Sequence, residues 1–271
     1  MTDILKGSLA PLTEEAWSEI KDAAKQTLKP LLSARKIVDF EGPKGWDFSA
    51  VNLGRLDVPK KSSGKSVGYG MRKVLPLIEA RILFKLNLWE LDNISRGAAD
   101  PDLGPLEEAA KALALFEDNA IYKGLKDGQI DGIIPSASQK ALKLPANAQE
   151  YAKVVAQGID AMRADGIGGP YALVLSPAAY QVVMQAVGPG YPVRRGLEKL
   201  LGGDDLIMRS GALDGGVLLS TRGGDFEMTV GADLSIGYSS HDSEEVHLFL
   251  TESFTFRVLE PAAAVELKPA K

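Results

Sequence analysis

Cysteine is absent from the 271-residue sequence, and histidine occurs only twice, as His241 and His247. Without cysteine the chain cannot form disulfides, thiolate zinc sites, iron–sulfur ligation or a cysteine nucleophile. Any catalytic triad or metal site that uses histidine must be built around one short C-terminal segment. These two shortages severely restrict the kinds of enzyme that the chain could be.

Long apolar runs are also absent. No stretch approaches the roughly 20 residues that a membrane-spanning helix needs, and the N-terminus lacks the basic and apolar regions of a secretory signal. We therefore expect a protein that remains in the cytoplasm and has no membrane partner.

An excess of positive charge is missing as well. Lysine and arginine number 31 against 36 aspartates and glutamates, which gives a formal net charge of −5 and a pI of about 5.3. This balance argues against sequence-independent binding to the phosphate backbone of nucleic acids, so nucleic acid is not expected as a partner. The hydrophobic fraction of 45% is that of a globular protein with one large domain or two modest ones.

The N-terminal region has the pattern of an apolar arm followed by a helix. Thr13 is a suitable N-cap, and Glu14 and Glu15 place negative charge at the positive end of the helix dipole. Apolar residues then recur at spacings of three and four as far as Leu31, and Pro30 is expected to kink or end the helix. The preceding arm is too apolar for a free tail, so it must lie on another surface.

Residues 49–89 have the pattern of one long β-hairpin. A first strand is predicted up to Val58, a polar tip follows from Pro59 to Ser66, and alternating apolar residues from Ile82 to Leu88 predict the returning strand. A hairpin of this length is marginal alone, so it needs another surface to pack on.

The remaining elements indicate an α+β fold. A long helix is predicted from Leu106 to about Tyr122, with a proline at its tolerated first position and Gly124 just beyond its end. Residues 133–146 are predicted to be an irregular connection, and mostly strands follow from Leu206 onward. Helices and strands do not alternate regularly, which favours α+β over a parallel α/β sheet.

Short motifs that resemble functional signatures lack the required context. Residues 64–66 resemble the end of a phosphate-binding loop, but Pro59 stands where its first glycine is required and no helix follows. The segment from His241 to His247 could gather a divalent cation, although consecutive acidic residues between strands are typical of a solvated turn. The residues alone therefore predict no catalytic constellation and no metal site.

Several segments, in the same order along almost the whole chain, match a known family. They are Leu9-Ala-Pro-Leu-Thr-Glu-Glu-Ala-Trp17, Gly42-Pro-Lys-Gly-Trp46, Leu86-Asn-Leu-Trp-Glu-Leu-Asp92, Phe116-Glu-Asp118, Gly169-Pro-Tyr171, Arg222-Gly-Gly-Asp-Phe226, Asp233-Leu-Ser-Ile-Gly-Tyr238 and Glu252-Ser-Phe-Thr-Phe-Arg257. These segments closely resemble family 1 encapsulins, which are linocin-like shell proteins.

The resemblance implies an HK97 phage major capsid-like fold with a peripheral domain, an extended E-loop hairpin and an axial domain. It also implies a hollow icosahedral T=1 shell of about 60 copies. The implied boundaries are 1–48 for the N-terminal arm and helix of the peripheral domain, 49–89 for the E-loop, 90–135 for the peripheral spine helix, 136–224 for the axial domain and 225–271 for the C-terminal strands of the peripheral domain.

Encapsulins enclose cargo enzymes, commonly ferritin-like proteins or dye-decolourising peroxidases, which carry a short C-terminal targeting peptide. The resemblance therefore implies a role in iron storage or oxidative-stress defence. It implies that the chain is not itself an enzyme and that activity comes from the cargo. Two alternatives remain open, a phage-derived major capsid protein and a soluble enzyme.

The resemblance also implies where the functional sites lie. The targeting peptide is expected to dock between the N-terminal helix region and the strand near Ile236, and the candidate docking residues are Leu28, Arg35, Asp39, Asp233, Leu234 and Ile236. A loop is expected to surround the five-fold pores, and its residues are Val187, Gly188, Pro189, Gly190 and Tyr191. Trp89 lies where a relative binds a flavin on its outer surface, and no other cofactor and no metal is expected.

Overall fold

The computed structural model describes residues 4–59, 67–188 and 190–269, which form two five-stranded sheets, two short hairpins and seven α-helices. The helices are α1 Glu14–Leu31, α2 Leu88–Ser95, α3 Gly104–Lys123, α4 Ile133–Ser136, α5 Tyr151–Ala164, α6 Pro177–Gln185 and α7 Val193–Leu201. The strands are β1 Asp39–Glu41, β2 Ala50–Asp57, β3 Met71–Pro76, β4 Ile78–Asn87, β5 Leu142–Leu144, β6 Tyr171–Leu175, β7 Val187–Gly188, β8 Tyr191–Pro192, β9 Ile207–Arg209, β10 Gly216–Ser220, β11 Phe226–Val230, β12 Ser235–His241, β13 Glu245–Val258 and β14 Ala264–Pro269. None of the helices within these residues is long and apolar enough to cross a membrane.

The predicted starts and ends of α1 and α3 are confirmed. Thr13 caps α1, because its Oγ1 accepts a hydrogen bond from the backbone N–H of Ala16 at 3.2 Å. The helix ends at Leu31, one residue beyond Pro30. The α3 helix ends at Gly124, whose φ of +87° and close approach to the Ile130 carbonyl leave no room for a side chain.

The first sheet positions β12 beside α1. Its strand order is β1-β11-β13-β12, and β4 pairs with β13 as well. One face of the sheet packs on α1 and α3, where Ile20 and Leu106 meet Phe84, Leu86 and Leu248 in a fully apolar cluster. Burial of several large side chains of this kind, each worth about 1.5–3 kcal/mol, holds the two helices on the sheet.

The second sheet has the order β5-β14-β10-β6-β9 and packs mainly with α5, α6 and α7. Its strand β14 belongs to residues 225–271, which we expected to lie entirely in the peripheral domain. That expectation is wrong for β14, because the strand pairs with β10 through Val265 and Leu218 and with β5 through Leu267 and Leu142.

The single hairpin expected over residues 49–89 is wrong in its second half. The hairpin consists of β2 and β3, whereas β4 leaves it and pairs with β13 from Asn87↔Glu245 to Ile78↔Phe254. The reason is the apolar face of β4, whose Phe84 and Leu86 are buried under α1 and α3. Residues 60–66, the expected mobile tip, lie outside the described residues.

Residues 34–36 form a 3₁₀ turn that α3 holds in place, and strand β1 begins at Asp39. Two local expectations also differ from the structure. Residues 133–146 are not wholly irregular, since they contain α4 and β5. Trp89, expected at a strand end, lies in the first turn of α2, because the Asn87 side chain accepts hydrogen bonds from the next two free N–H groups and starts a helix.

Candidate functional site

A large groove lies between the N-terminal arm, α1 and β12. We call it the α1–β12 groove; it is lined by residues of the arm from Leu5 to Leu12, by one face of α1 from Glu14 to Lys29, and by Arg35, residues 233–236 and Leu250. Its volume is about 1120 Å³. The groove is therefore large enough for a peptide segment of several residues.

The floor of the groove is apolar. Leu28 on α1 and Leu250 on β13 are buried, and Leu234 and Ile236 pack against the same cluster while remaining partly accessible. Antiparallel pairing of Ile236 with Leu250 fixes which residues of β12 face this floor. Three predicted docking residues, Leu28, Leu234 and Ile236, thus lie together.

Arg35 and Asp233 form the polar end of the groove. Arg35 Nη1 donates to Asp233 Oδ1 at 2.7 Å, and Asp233 Oδ1 also accepts from the backbone N–H of Leu234 at 2.8 Å. The Asp233 side chain is 44% exposed. Asp233 is therefore an accessible charge at this end of the groove.

The guanidinium of Arg35 is largely occupied by two further carboxylates that sequence reasoning missed. Its Nε donates to both oxygens of Glu117 at 3.0 and 2.8 Å, and its Nη2 donates to Glu252 Oε2 at 2.8 Å. Both glutamates are fully buried. Burial raises the pKa of each glutamate, and for Glu252 the nearby charge of Glu117 raises the pKa further. Burial lowers the pKa of Arg35, but the bonds and charges of Glu117, Glu252 and Asp233 together outweigh it and raise that pKa overall.

The next residue of α3, Asp118, holds the segment that follows α1. Its carboxylate accepts hydrogen bonds from Ser33 Oγ at 2.6 Å, from the Ala34 N–H at 3.1 Å and from Ser210 Oγ at 2.6 Å. Ser210 follows β9 of the second sheet. The segment after α1, helix α3 and the residue after β9 of the second sheet therefore meet at one buried carboxylate, whose pKa is raised by burial.

Asp39, the remaining predicted docking residue, does not line the α1–β12 groove. Its Oδ2 accepts a hydrogen bond from the Gly224 N–H at 2.6 Å, and it lines a separate cavity of about 130 Å³. The cause is the parallel pairing of β1 with β11, which places Asp39 beside the glycine turn that precedes β11. The assignment of Asp39 to the docking groove is therefore corrected.

The N-terminal arm covers part of the outer edge of β12. The backbone N–H of Tyr238 donates to the Leu5 carbonyl at 2.7 Å. Because strand residues two apart point their backbone groups the same way, the N–H and C=O of Ile236 face the same edge. The outer edge of β12 thus lies beside the apolar floor of the groove.

The predicted pore loop is a small hairpin in which Val187 pairs with Pro192 and Gly188 with Tyr191. Val187 and Tyr191 are exposed, and Gly190 has a positive φ of +79°, as a tight turn requires. Pro189 lies outside the described residues. The position of this loop at a five-fold pore remains a prediction.

Trp89 is exposed on the surface of α2, and the Arg96 guanidinium lies 5.8 Å from the centre of its ring. Neither the α1–β12 groove nor the smaller cavity beside Asp39 includes it. The ring offers a stacking face, and a flavin contact at Trp89 remains a prediction.

The turn between β12 and β13 brings three potential metal ligands together. Their ligand atoms lie within 4.8 Å of one another, and the residues are Asp242, Glu245 and His247. Lys85 Nζ lies 2.9 Å from Glu245 Oε2 and balances its charge. His241 contacts the Tyr238 hydroxyl instead. The arrangement is that of an ion-paired hairpin turn.

The chain is similar to known proteins along almost its whole length. Residues 1–255 match the Linocin_M18 family model, described as "Encapsulating protein for peroxidase". The type 1 encapsulin shell protein of Rhodospirillum rubrum is 46% identical over 99% of this chain and 97% of its own length.

Solved structures with much lower identity have the same architecture. A virus-like particle from Pyrococcus furiosus superposes with a TM-score of 0.66 at 15% identity, covering 92% of this chain and 97% of that one. The capsid protein of Myoviridae phage XM1 superposes with a TM-score of 0.57 at 14% identity, covering 88% of this chain and 92% of that one. These matches confirm the predicted HK97-like capsid fold.

Proposed function

The chain belongs to the family of type 1 encapsulin shell proteins, which are structural proteins and not enzymes, and from this membership we propose that about 60 copies form an icosahedral T=1 shell in the cytoplasm. Self-assembly around a cargo follows from the family. Membership of this family is preferred over the alternatives of a phage capsid protein and a soluble enzyme.

The proposed cargo is a ferritin-like protein or a dye-decolourising peroxidase, so the compartment would serve iron storage or oxidative-stress defence. The shell supplies no catalytic group, and the enclosed enzyme performs the reaction. The family description, which names a peroxidase, supports the second of these cargo classes.

The observation that carries the loading mechanism is the α1–β12 groove. Leu28, Leu234 and Ile236 can bury the aliphatic side chains of a C-terminal targeting peptide, at roughly 1.5–3 kcal/mol for each side chain before ordering costs. The β12 edge offers the backbone groups that an extended peptide needs for strand addition. Each site is then weak to moderate, and an oligomeric cargo with several tails gains avidity from many sites in one shell.

At the polar end of the groove, the two charged residues have different roles. Arg35 is held by Glu117, Glu252 and Asp233, so it shapes the site rather than binding the peptide directly. Asp233 is the exposed member of this group, so its free oxygen can accept a hydrogen bond from a docked peptide.

The decisive experiment is Ile236→Asp in shells co-expressed with the neighbouring cargo gene, with the cargo-to-shell ratio measured on purified particles. We expect empty shells, because a carboxylate without a partner is placed on the apolar floor. Ser239→Asp is the matched control, since Ser239 is exposed on the same strand and does not line the groove. Wild-type loading of intact Ile236→Asp shells would refute the docking site.

A further inference from the structure

Three lysines of α1 line the α1–β12 groove, at positions 21, 25 and 29. A spacing of four residues places them on one face of the helix, about 6 Å apart along its axis, so the stripe from Lys21 to Lys29 spans about 12 Å. All three are exposed. We call Lys21, Lys25 and Lys29 the lysine stripe.

The lysine stripe makes the groove cationic in a chain whose net charge is −5. Among the described residues, the ion pairs of lysine are made at other positions, and no member of the stripe pairs with a carboxylate. Among the described residues that line the groove, only Glu14 and Asp233 carry carboxylates, and Asp233 is already bonded to Arg35. No lysine of the stripe therefore has an ion-pair partner among the described residues, although α1 also carries acidic side chains at other positions.

Arg35, the cationic residue among the predicted docking residues, is not available to bind a ligand. The guanidinium of Arg35 is bonded to Glu117, Glu252 and Asp233. The ammonium groups of the stripe are the cations of the groove that remain available to a ligand. Lys21 lies over the Trp17 ring, with its Nζ 5.7 Å from the ring centre, and it still faces the groove.

We propose that the lysine stripe binds the free α-carboxylate of the targeting peptide, so that the groove recognises a chain terminus. The inference rests on the proposed docking function. A peptide at the end of a chain carries a carboxylate that no internal segment has, and complementary charge is the feature that selects among otherwise similar apolar segments.

The dimensions of the groove suit this arrangement. An extended peptide rises about 3.3 Å per residue, so the stripe of about 12 Å runs beside roughly four peptide residues. A peptide whose aliphatic side chain rests on Leu28 or Ile236 thus has its terminus near one of the lysines when that terminus lies up to about four residues away. The contact is exposed, so each lysine contributes modestly.

Three reporters test the proposal in co-expressed full-length shells. Each is a fluorescent protein fused to the last fifteen residues of the cargo that copurifies with native shells. The first reporter ends at the native carboxylate. The second has six added Gly/Ser residues after the peptide, which move the carboxylate by up to about 20 Å. The third has the same six residues before the peptide, as a length control.

The shells are wild type, a triple variant with Lys21→Gln, Lys25→Gln and Lys29→Gln, and a charge-matched control. The control changes Lys140, Lys143 and Lys153 to Gln, which are exposed lysines outside the groove. We expect the second reporter to load about fivefold less than the first and third in wild-type and control shells. We expect the triple variant to load the first and third reporters about fivefold less than wild-type shells do, and to load the second reporter to the same extent.

Equal loading of the first and second reporters in wild-type shells would overturn the proposal, and this comparison needs no variant. An equal loss of both reporters in the triple variant would also overturn it, because acidic side chains would then be the ligand. If Ile236→Asp abolishes loading in either case, the docking function stands and only the carboxylate contact is lost. If no reporter loads into wild-type shells, the docking function itself fails, and the carboxylate contact with it.

Discussion

Glu252 accepts a hydrogen bond from Arg35 through Oε2 at 2.8 Å, while its Oε1 has no hydrogen-bond partner among the described residues. Glu252 and Glu117 are both fully buried and share this one guanidinium. A single positive charge cannot balance both carboxylates and Asp233. The neutral form of Glu252 is therefore favoured, and its pKa lies well above the usual value, first through desolvation and then through Glu117.

This raised pKa predicts that the subunit loses stability as the pH rises. Below the usual glutamate pKa, Glu252 is protonated in the folded and the unfolded chain and has no effect. Above it, the unfolded chain releases the proton while the folded chain retains it, so the free energy of unfolding falls until the pH passes the folded-state pKa. Glu252→Gln should therefore gain stability relative to wild type as the pH increases.

Thermal unfolding of wild type and Glu252→Gln at pH 5, 7 and 9 measures this difference. Glu107→Gln serves as the control, because Glu107 is an exposed residue of α3 that pairs with Lys111 at the surface. A stability difference between Glu252→Gln and wild type that stays constant across these pH values would contradict the prediction.

Arg35→Ala is expected to destabilise the subunit by about 3–5 kcal/mol, because it leaves Glu117 and Glu252 buried without a cation. The variant should therefore give a lower yield of shells and unfold at a lower temperature, and these effects should be larger than any effect on cargo loading. Adding Glu117→Gln and Glu252→Gln to Arg35→Met should restore part of the loss. An Arg35→Ala subunit that unfolds at the wild-type temperature would show that the guanidinium is not a structural cation.

Truncation of two adjacent residues of β4 is expected to change the stability of the subunit by very different amounts. Phe84 is buried under α1 and α3, so Phe84→Ala should cost about 3–5 kcal/mol of subunit stability. Leu83 is 66% exposed, so Leu83→Ala should change it by about 0.5 kcal/mol or less. Thermal unfolding of the two variants checks this, and equal losses would mean that strand β4 does not have the described orientation.

Native mass measurement of purified particles should give about 60 times the chain mass of 28.9 kDa. A stable monomer or dimer at neutral pH and micromolar concentration would contradict the shell. Particles purified without cargo should show no peroxidase or ferroxidase turnover, because the activity is assigned to the cargo.

The sequence predicted correctly those elements that depend on residues close together in the chain. The apolar stripe and caps of α1, and the proline and glycine around α3, depend on neighbours within a few residues, so both helices could be predicted. The alternation in β4 was also correct, yet its partner was not, because alternation identifies a buried face without naming the strand beside it. The same limit explains why β14 was missed in the second sheet.

The site could be predicted only in part for a similar reason. Leu28, Leu234 and Ile236 were placed by resemblance, and the structure brings them together in the groove. The bond between Arg35 and Glu252 joins residues 217 positions apart, and no spacing rule links them. The misplacement of Asp39 has the same origin, since its partner Gly224 lies 185 positions away.

The interior place of β14 determines when a newly made subunit can become complete. Strand β14 lies between β5 and β10 in the second sheet, although it is synthesised after both of them. Until β14 has been translated, β5 is therefore not joined to the rest of the second sheet, and one edge of β10 is unpaired. A chain cut short by a premature stop before residue 264 lacks that neighbour, so only copies translated through β14 bring a finished second sheet to the shell.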